Sequence, residues 1–247
     1  MGVPGGLMVL AVIPARLGST RLPEKALLDI GGAPMIVRTW ERARRARVDR
    51  VIVATDSERI AQVVRAAGGE VVMTGDCENG TMRVIEAVKQ LMVTMNAGTS
   101  ASDIIVNVQG DEPMLDPEVV NRVVAGVRDD TPIATAAAPF SGDATDAARV
   151  KVVMDADGRA MAFSRRAIPV GGPFHLHVGV YAFSLGVLMQ LPTLPSTPGE
   201  RAEALEQLRW LENGLTIRVV TVDHAGHGVD TPRDLEHVRF LYTRGVS

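Results

Sequence analysis

"AVIPARLGSTRLPEKALLDIGG", residues 11–32, sets a short apolar run against a proline. Three cations follow, Arg16, Arg21 and Lys25, with Gly18, Ser19 and Thr20 between them. The run "LMVLAVIPA" predicts a strand buried on both faces, because no polar residue alternates along it. In an open parallel sheet, ligands bind outside the carboxyl ends of the strands, where this loop falls. Small residues let backbone N–H groups approach an anion, and three cations in ten positions neutralise one. The segment is neither a P-loop nor a G-x-G-x-x-G dinucleotide turn. From the residues alone it is a phosphate site or a solvated turn with scattered charge.

Outward from this strand, helical and strand periods alternate. "APMIVRTWERARRARV" has helical spacing through Ile36, Trp40 and Ala43. "RVIVATD" predicts a second buried strand. "SERIAQVVRAAGG" predicts a helix with a Ser cap, an early Glu and a stop at Gly68. "EVVMT", the polar loop "GDCENG", the helix "TMRVIEAVKQLM", a small-residue loop from Asn96 to Ser102, the strand in "SASDIIVNVQGDEP" and the capped helix "DPEVVNRVVAGVRD" continue the series. Such alternation implies an α/β fold with a mostly parallel, doubly wound sheet of Rossmann type.

Past Pro132 the rhythm changes. "PIATAAAPF", "ARVKVVMDADGRAMAFS" and "HLHVGVYAFS" read as strands, with "DADG" as a hairpin turn. The helix "PGERAEALEQLRWLENG", the strand "LTIRVVTVD" and the helix "TPRDLEHVRFLYTRG" close the chain. The expected organisation is one domain over 1–247, with a mixed-strand lobe inserted at about 133–215 and a final strand that rejoins the core.

The 247 residues are ample for a substantial core, and nearly half are apolar. No apolar run is long enough to span a bilayer. The opening "MGVPGGLMVLAVIPAR" lacks the basic n-region of a signal peptide. A single cysteine, Cys77, excludes an intrachain disulfide and fits a reducing cytoplasm. A net charge of −3 argues against a broad nucleic-acid face, and the arginine run from Arg42 to Arg47 is expected to be a wet helix face. Only Lys25, Lys89 and Lys151 are lysines, which singles out Lys25.

"IPARLGSTRLPEK" resembles the signature of the CMP-KDO synthetase family, which activates 3-deoxy-manno-octulosonate (KDO) with CTP. The resemblance continues in family order through "VATD", "NVQGDEP", "VKVV", "FSR", "HVGVY", "LEQLR" and "GVDTP". It implies a nucleotidyltransferase fold whose opening loop grips the CTP triphosphate. The resemblance puts Arg16, Ser19, Arg21, Lys25, Gly80, Thr81, Arg83 and Gln109 around the nucleotide, Arg16 and Lys25 also aiding catalysis. Asp111 and Asp230 match the positions that converge on Mg²⁺, a hard cation that suits carboxylate and phosphate oxygens. Taken alone, Asp111 is better read as a strand-ending acidic turn and Asp230 as an ordinary helix start. Gln109, Arg165, His177, Tyr181, Glu206 and Gln207 match positions on the acceptor side. A guanidinium suits an acceptor carboxylate because it binds both oxygens at once. His177 and Tyr181, evenly spaced on a strand, share a face, although spacing by itself suggests a satisfied core histidine. Similarly, "EALEQLRWL" fits an amphipathic helix. His224 and His227 form only a weak metal pair, and nothing local activates Cys77.

The chain departs from the family in places. "CENGTMR" carries Cys77 for a histidine, Asn79 for a serine and Met82 for an acid. Glu24 and Ala26 stand where Gly and Pro are usual, and Arg166 replaces a small polar residue. The expected activity is a Mg²⁺-dependent cytidylyltransferase, homodimeric like its family, that makes a CMP-acid from CTP and KDO. The extra positive charge at positions 82 and 166 makes a small phosphonate acid such as phosphonoformate the second acceptor. An inactive nucleotide-binding module and a sugar-phosphate transferase using UTP or ATP are the remaining alternatives.

Overall fold

The computed structural model describes residues 7–19, 21–95, 100–140 and 142–245; Thr20 and residues 96–99 of the expected small-residue loop lie outside them. The chain divides into two compact units, Met1–Asn121 with Gly226–Ser247, and Arg122–Ala225. The second takes in the expected 133–215 lobe.

The first unit opens with β1 (Val9–Ala15), whose residues beyond Val9 are all buried. A 3-10 turn at Lys25–Leu27 and a short hairpin, β2 (Asp29–Ile30) and β3 (Ala33–Pro34), lead into α1 (Met35–Ala43). This helix buries Ile36, Val37, Trp40 and Ala43, the positions that its period requires. It stops at Ala43, so Arg44–Arg47 form no helix face. Arg44 lies over the Trp40 ring, and Arg42 donates its Nε to the Leu115 carbonyl at 2.7 Å.

β4 (Arg50–Thr55) is followed by α2 (Glu58–Ala66), capped as expected by Ser57, whose hydroxyl accepts from the Ile60 amide. Gly68 has φ 84, and Gly69 has no room for a side chain: a Cβ there would lie 2.6 Å from Val64. β5 (Glu70–Met73), α3 (Gly80–Met95), β6 (Ile104–Asn107) and α4 (Pro117–Gly126) follow. In this unit the strands stand in the order β6, β1, β4, β5, all parallel. The alternation of apolar strands and amphipathic helices thus yields the parallel layer it predicts.

In the second unit β7 (Ile133–Phe140) runs antiparallel to a long strand named below, while β8 (Lys151–Met154) and β9 (Ala160–Ser164) form the hairpin predicted at "DADG", with Gly158 at φ 76. β10 (Phe174–Ser184) is β7's partner and also pairs with β8. A bulge between Val178 and Tyr181 inserts two residues, which leaves His177 and Tyr181 on one face. α5 (Leu185–Gln190) then leads to the segment expected to be one helix. It is two, α6 (Pro198–Glu203) and α7 (Glu206–Glu212), broken at Ala204 with φ 50. β11 (Ile217–Thr221), expected to return to the core, pairs in parallel with β7 inside this unit. Finally α8 (Pro232–Thr243) returns the chain to the first unit.

Candidate active site

β1 ends at Ala15, and the loop beyond it lines a cavity of about 400 Å³ in the first unit. Arg16, Ser19, Arg21, Lys25, Gly80, Arg83, Gln109, Asp111 and Asp230 are all in its wall. Of the residues expected around the nucleotide, Thr81 alone stays out of the lining. It is buried, and its hydroxyl accepts from the Asn107 side chain.

Lys25 is the centre of the arrangement. Its Nζ donates to Asp111 Oδ2 at 2.6 Å, to the Val229 carbonyl at 2.9 Å and to Asp230 Oδ1 at 3.2 Å. Arg21 reaches the same Asp230 oxygen at 2.9 Å. Burial works to lower the lysine pKa, but Asp111 and Asp230 outweigh it and hold the ammonium above its ordinary value. The lysine side chain is 16% exposed, while Asp111 and Asp230 keep 32% and 52%. Both carboxylates therefore remain open to a ligand. Arg16 is exposed and has no ion-pair partner among the described residues.

Local structure frees these groups for the cavity. Asp230 need not cap α8, because Thr231 does so in a reciprocal capping box with Asp234. Gly110 is required: a Cβ there would sit 2.9 Å from the Pro14 carbonyl, so no side chain can separate Asp111 from the end of β1. Glu24, immediately before Lys25, takes up a left-handed conformation at φ 54 and is gripped by Arg59. A glycine at that position in the family pattern has this physical explanation.

The departures in "CENGTMR" also resolve. Asn79 does the capping work of a serine, its Oδ1 accepting from the Met82 amide at 2.9 Å. Met82 is not in the cavity lining, so its replacement of an acid leaves the charge of the wall unchanged. Arg83 is buried and held by Asp56 at 2.6 Å and by Thr74. Cys77 does line the cavity, but burial and the Glu86 carboxylate push its thiol up to about 11. At neutral pH it is therefore held as the thiol, a weaker nucleophile than the thiolate.

Of the residues expected on the acceptor side, Gln109 lines the first unit's cavity, while Arg165, His177, Tyr181, Glu206 and Gln207 lie in the second unit. Arg165 donates Nε to the Glu203 carbonyl at 2.8 Å and its terminal nitrogens to Ala147 and Ala204 carbonyls. One N–H on each terminal nitrogen remains for a ligand. The His177 ring packs against Phe163 and Tyr181, and burial pushes its pKa down to about 4. Its Nε2 lies 3.0 Å from the Thr135 hydroxyl, which itself donates to a strand carbonyl. Burial, with Glu206 nearby, holds the Tyr181 phenol well above its ordinary value. Gln207 is buried on α7. Around His224 and His227, as elsewhere among the described residues, no group of three or more ligating side chains comes together.

Two residues that support Arg165 are given no role by any motif in the sequence. Glu203 accepts from the Ser164 hydroxyl at 2.6 Å and the Arg165 amide at 2.9 Å, and it was hidden inside an ordinary helical pattern. Lys151, fully buried, donates to the Asp146, Arg149 and Arg165 carbonyls. Its signal was available, since a lysine inside an apolar strand demands partners.

Comparison with known proteins agrees with this geometry. Residues 10–217 match a family described as cytidylyltransferase. A 3-deoxy-manno-octulosonate cytidylyltransferase from Anaeromyxobacter dehalogenans (strain 2CP-C) is 45% identical, covering 96% of this chain and 99% of the relative. One from Zea mays is 43% identical over 95% of this chain and 81% of its own. The solved structure of CMP:2-keto-3-deoxy-manno-octonic acid synthetase complexed with CTP superposes with a TM-score of 0.87 at 42% identity, covering 96% of this chain and 99% of that one. The fold is that nucleotidyltransferase fold, and the chain belongs to the 3-deoxy-manno-octulosonate cytidylyltransferase, or CMP-KDO synthetase, family.

Proposed function

We propose that this cytidylyltransferase transfers CMP from CTP to 3-deoxy-manno-octulosonate and releases pyrophosphate. The observation that carries the reading is the meeting of Asp111 and Asp230 on one ammonium, in a cavity that Arg16 and Arg21 also line. Arg16, Arg21 and Lys25 neutralise the triphosphate and then the departing pyrophosphate. Backbone and side-chain donors at Ser19, Gly80 and Gln109 orient it, with Arg83 held in the wall by Asp56. An acceptor hydroxyl attacks the α-phosphorus in line as the bond to the β-phosphate oxygen breaks. Such transfer demands mainly positioning and charge neutralisation.

The two carboxylates fit a magnesium ion: both are hard oxygen donors, both keep exposed surface, and both reach a single cationic point. When bound, that ion would supply Lewis-acid stabilisation and lower the pKa of the acceptor hydroxyl. On the acceptor side, the spare N–H pair of Arg165 suits a carboxylate. His177, Tyr181, Glu206 and Gln207 offer hydrogen bonds to sugar hydroxyls. Met161 and Val170, exposed apolar residues of the second unit, are compatible with a homodimer, an assignment that a monomer in sedimentation equilibrium would remove. No observation at the cavity favours a phosphonate acceptor.

The test is pyrophosphate release from CTP and Mg²⁺ with KDO, with phosphonoformate and with no acceptor. Release is expected with KDO. Release with phosphonoformate alone would reassign the acceptor. Asp111→Asn is expected to lower kcat by at least about 100-fold, since it removes charge from the reacting centre, with thermal melting preserved. Near-normal turnover in Mg²⁺ would dismiss Asp111 as a metal ligand.

A further inference from the structure

The loop that carries Asp111 has no regular secondary structure from Val108 to Asp116, yet its carbonyls are held from several directions. The Thr39 hydroxyl lies 3.1 Å from the Gly110 carbonyl. The Val229 amide donates to the Asp111 carbonyl at 2.9 Å. The Tyr242 hydroxyl donates to the Pro113 carbonyl at 2.7 Å, and Arg42 Nε to the Leu115 carbonyl at 2.7 Å. Two of these donors, Thr39 and Arg42, come from α1, and Tyr242 comes from the last turn of α8.

The seat of Tyr242 is built for that reach. Gly31 has φ 58, and a Cβ there would stand 3.3 Å from the Tyr242 side chain. The Arg38 guanidinium covers the ring at 5.3 Å. Beneath, Tyr242 and Met114 pack on a cluster formed by Leu22, Ile30, Met35, Val229, Leu235 and Val238. Leu22 belongs to the cationic loop, Val229 precedes Asp230, and Met114 follows Asp111. One small core therefore joins the three segments that bring Lys25, Asp230 and Asp111 together.

We infer that Tyr242 is a positioning residue: its hydroxyl, through the Pro113 carbonyl, fixes the loop that aims Asp111 at Lys25 and Asp230. The inference rests on the reading of Asp111 as a carboxylate that holds the divalent ion. A phenol fits the task because it donates one directed hydrogen bond from a rigid ring, with little side-chain freedom to lose. Tyr242→Phe removes that donor and nothing else.

The experiment uses the full chain with CTP, Mn²⁺ as the probe ion followed by its electron paramagnetic resonance, and hydrogen–deuterium exchange of the peptide over residues 108–116 without ligand. Arg239→Met is the control: Arg239 Nε also donates from α8 to a backbone carbonyl, that of Asp29, away from the Asp111 loop. Tyr242→Phe is expected to weaken Mn²⁺ binding about fivefold, the equivalent of one net hydrogen bond, and to speed exchange of the loop peptide. Arg239→Met is expected to change neither, even where its melting temperature falls as far. Wild-type Mn²⁺ affinity and exchange in Tyr242→Phe would overturn the assignment, as would an equal loss in Arg239→Met. Asp111→Asn separates the two levels: if it binds Mn²⁺ as wild type does, the metal reading fails whatever Tyr242 does to the loop.

Discussion

Glu24 holds a backbone conformation that an L-residue adopts at a cost, and it does so one position before the lysine at the centre of the site. Its carboxylate is held by Arg59, an exposed pair of modest worth, so the surrounding turn must impose the geometry. His177 is a residue whose burial has a measurable consequence. Its pKa is near 4, against an ordinary 6.5, because the packed ring cannot be solvated as a cation. Above pH 6.5 it is neutral in both folded and unfolded chains, and its full contribution is present. As pH falls from 6.5 toward 4 the unfolded chain takes up a proton that the folded one refuses, so stability drops, by up to about 3 kcal/mol. Below that window the loss levels off. Urea midpoints at pH 7.5 and 4.5 are expected to differ less in His177→Gln than in wild type; equal differences would refute this account.

At the scale of elements, the break between α6 and α7 shows tertiary contacts overriding a continuous helical period. An uninterrupted helix would use the Glu203 and Ala204 carbonyls internally, accepting from residues four positions on. Here Arg165 takes both, and Glu203 turns its carboxylate back to Ser164 and the Arg165 amide. α6 is closed at its start by the Thr197–Glu200 capping box and at its end by Ala204 in the left-handed region. A glycine suits that last position better than alanine. Ala204→Gly is expected to raise stability by about 0.5–1 kcal/mol, measured by urea unfolding. A loss of stability would mean that the break is not set by this cap.

Across the whole molecule, a net charge of −3 coexists with a cavity lined by Arg16, Arg21, Lys25 and Arg83. Attraction of a polyanionic nucleotide is therefore local. Arg21 is 62% exposed, so salt screens it readily. Raising NaCl from 0.05 to 0.5 M is expected to raise the KM for CTP severalfold, on the order of the charge screening involved, with little change in melting temperature. A KM independent of salt would show that the exposed guanidinium groups do not engage the triphosphate. No helix among the described residues is long and apolar enough to cross a membrane.

Periodicity and turn chemistry are local properties, so the strands of the first unit, the Ser57 cap, the Gly68 stop and the "DADG" hairpin were legible along the chain. So were the residue types of the cationic loop, and the motif series named the aspartates. Meeting is another matter: Lys25 reaches Asp111 across 86 residues of chain and Asp230 across 205, and such proximity exists only once the sheet and the small core beneath it have formed. The same holds for Glu203, for Tyr242 and for the kink at Ala204. Each depends on a partner distant in sequence, whose hydrogen bond outweighs the preference of its own neighbours.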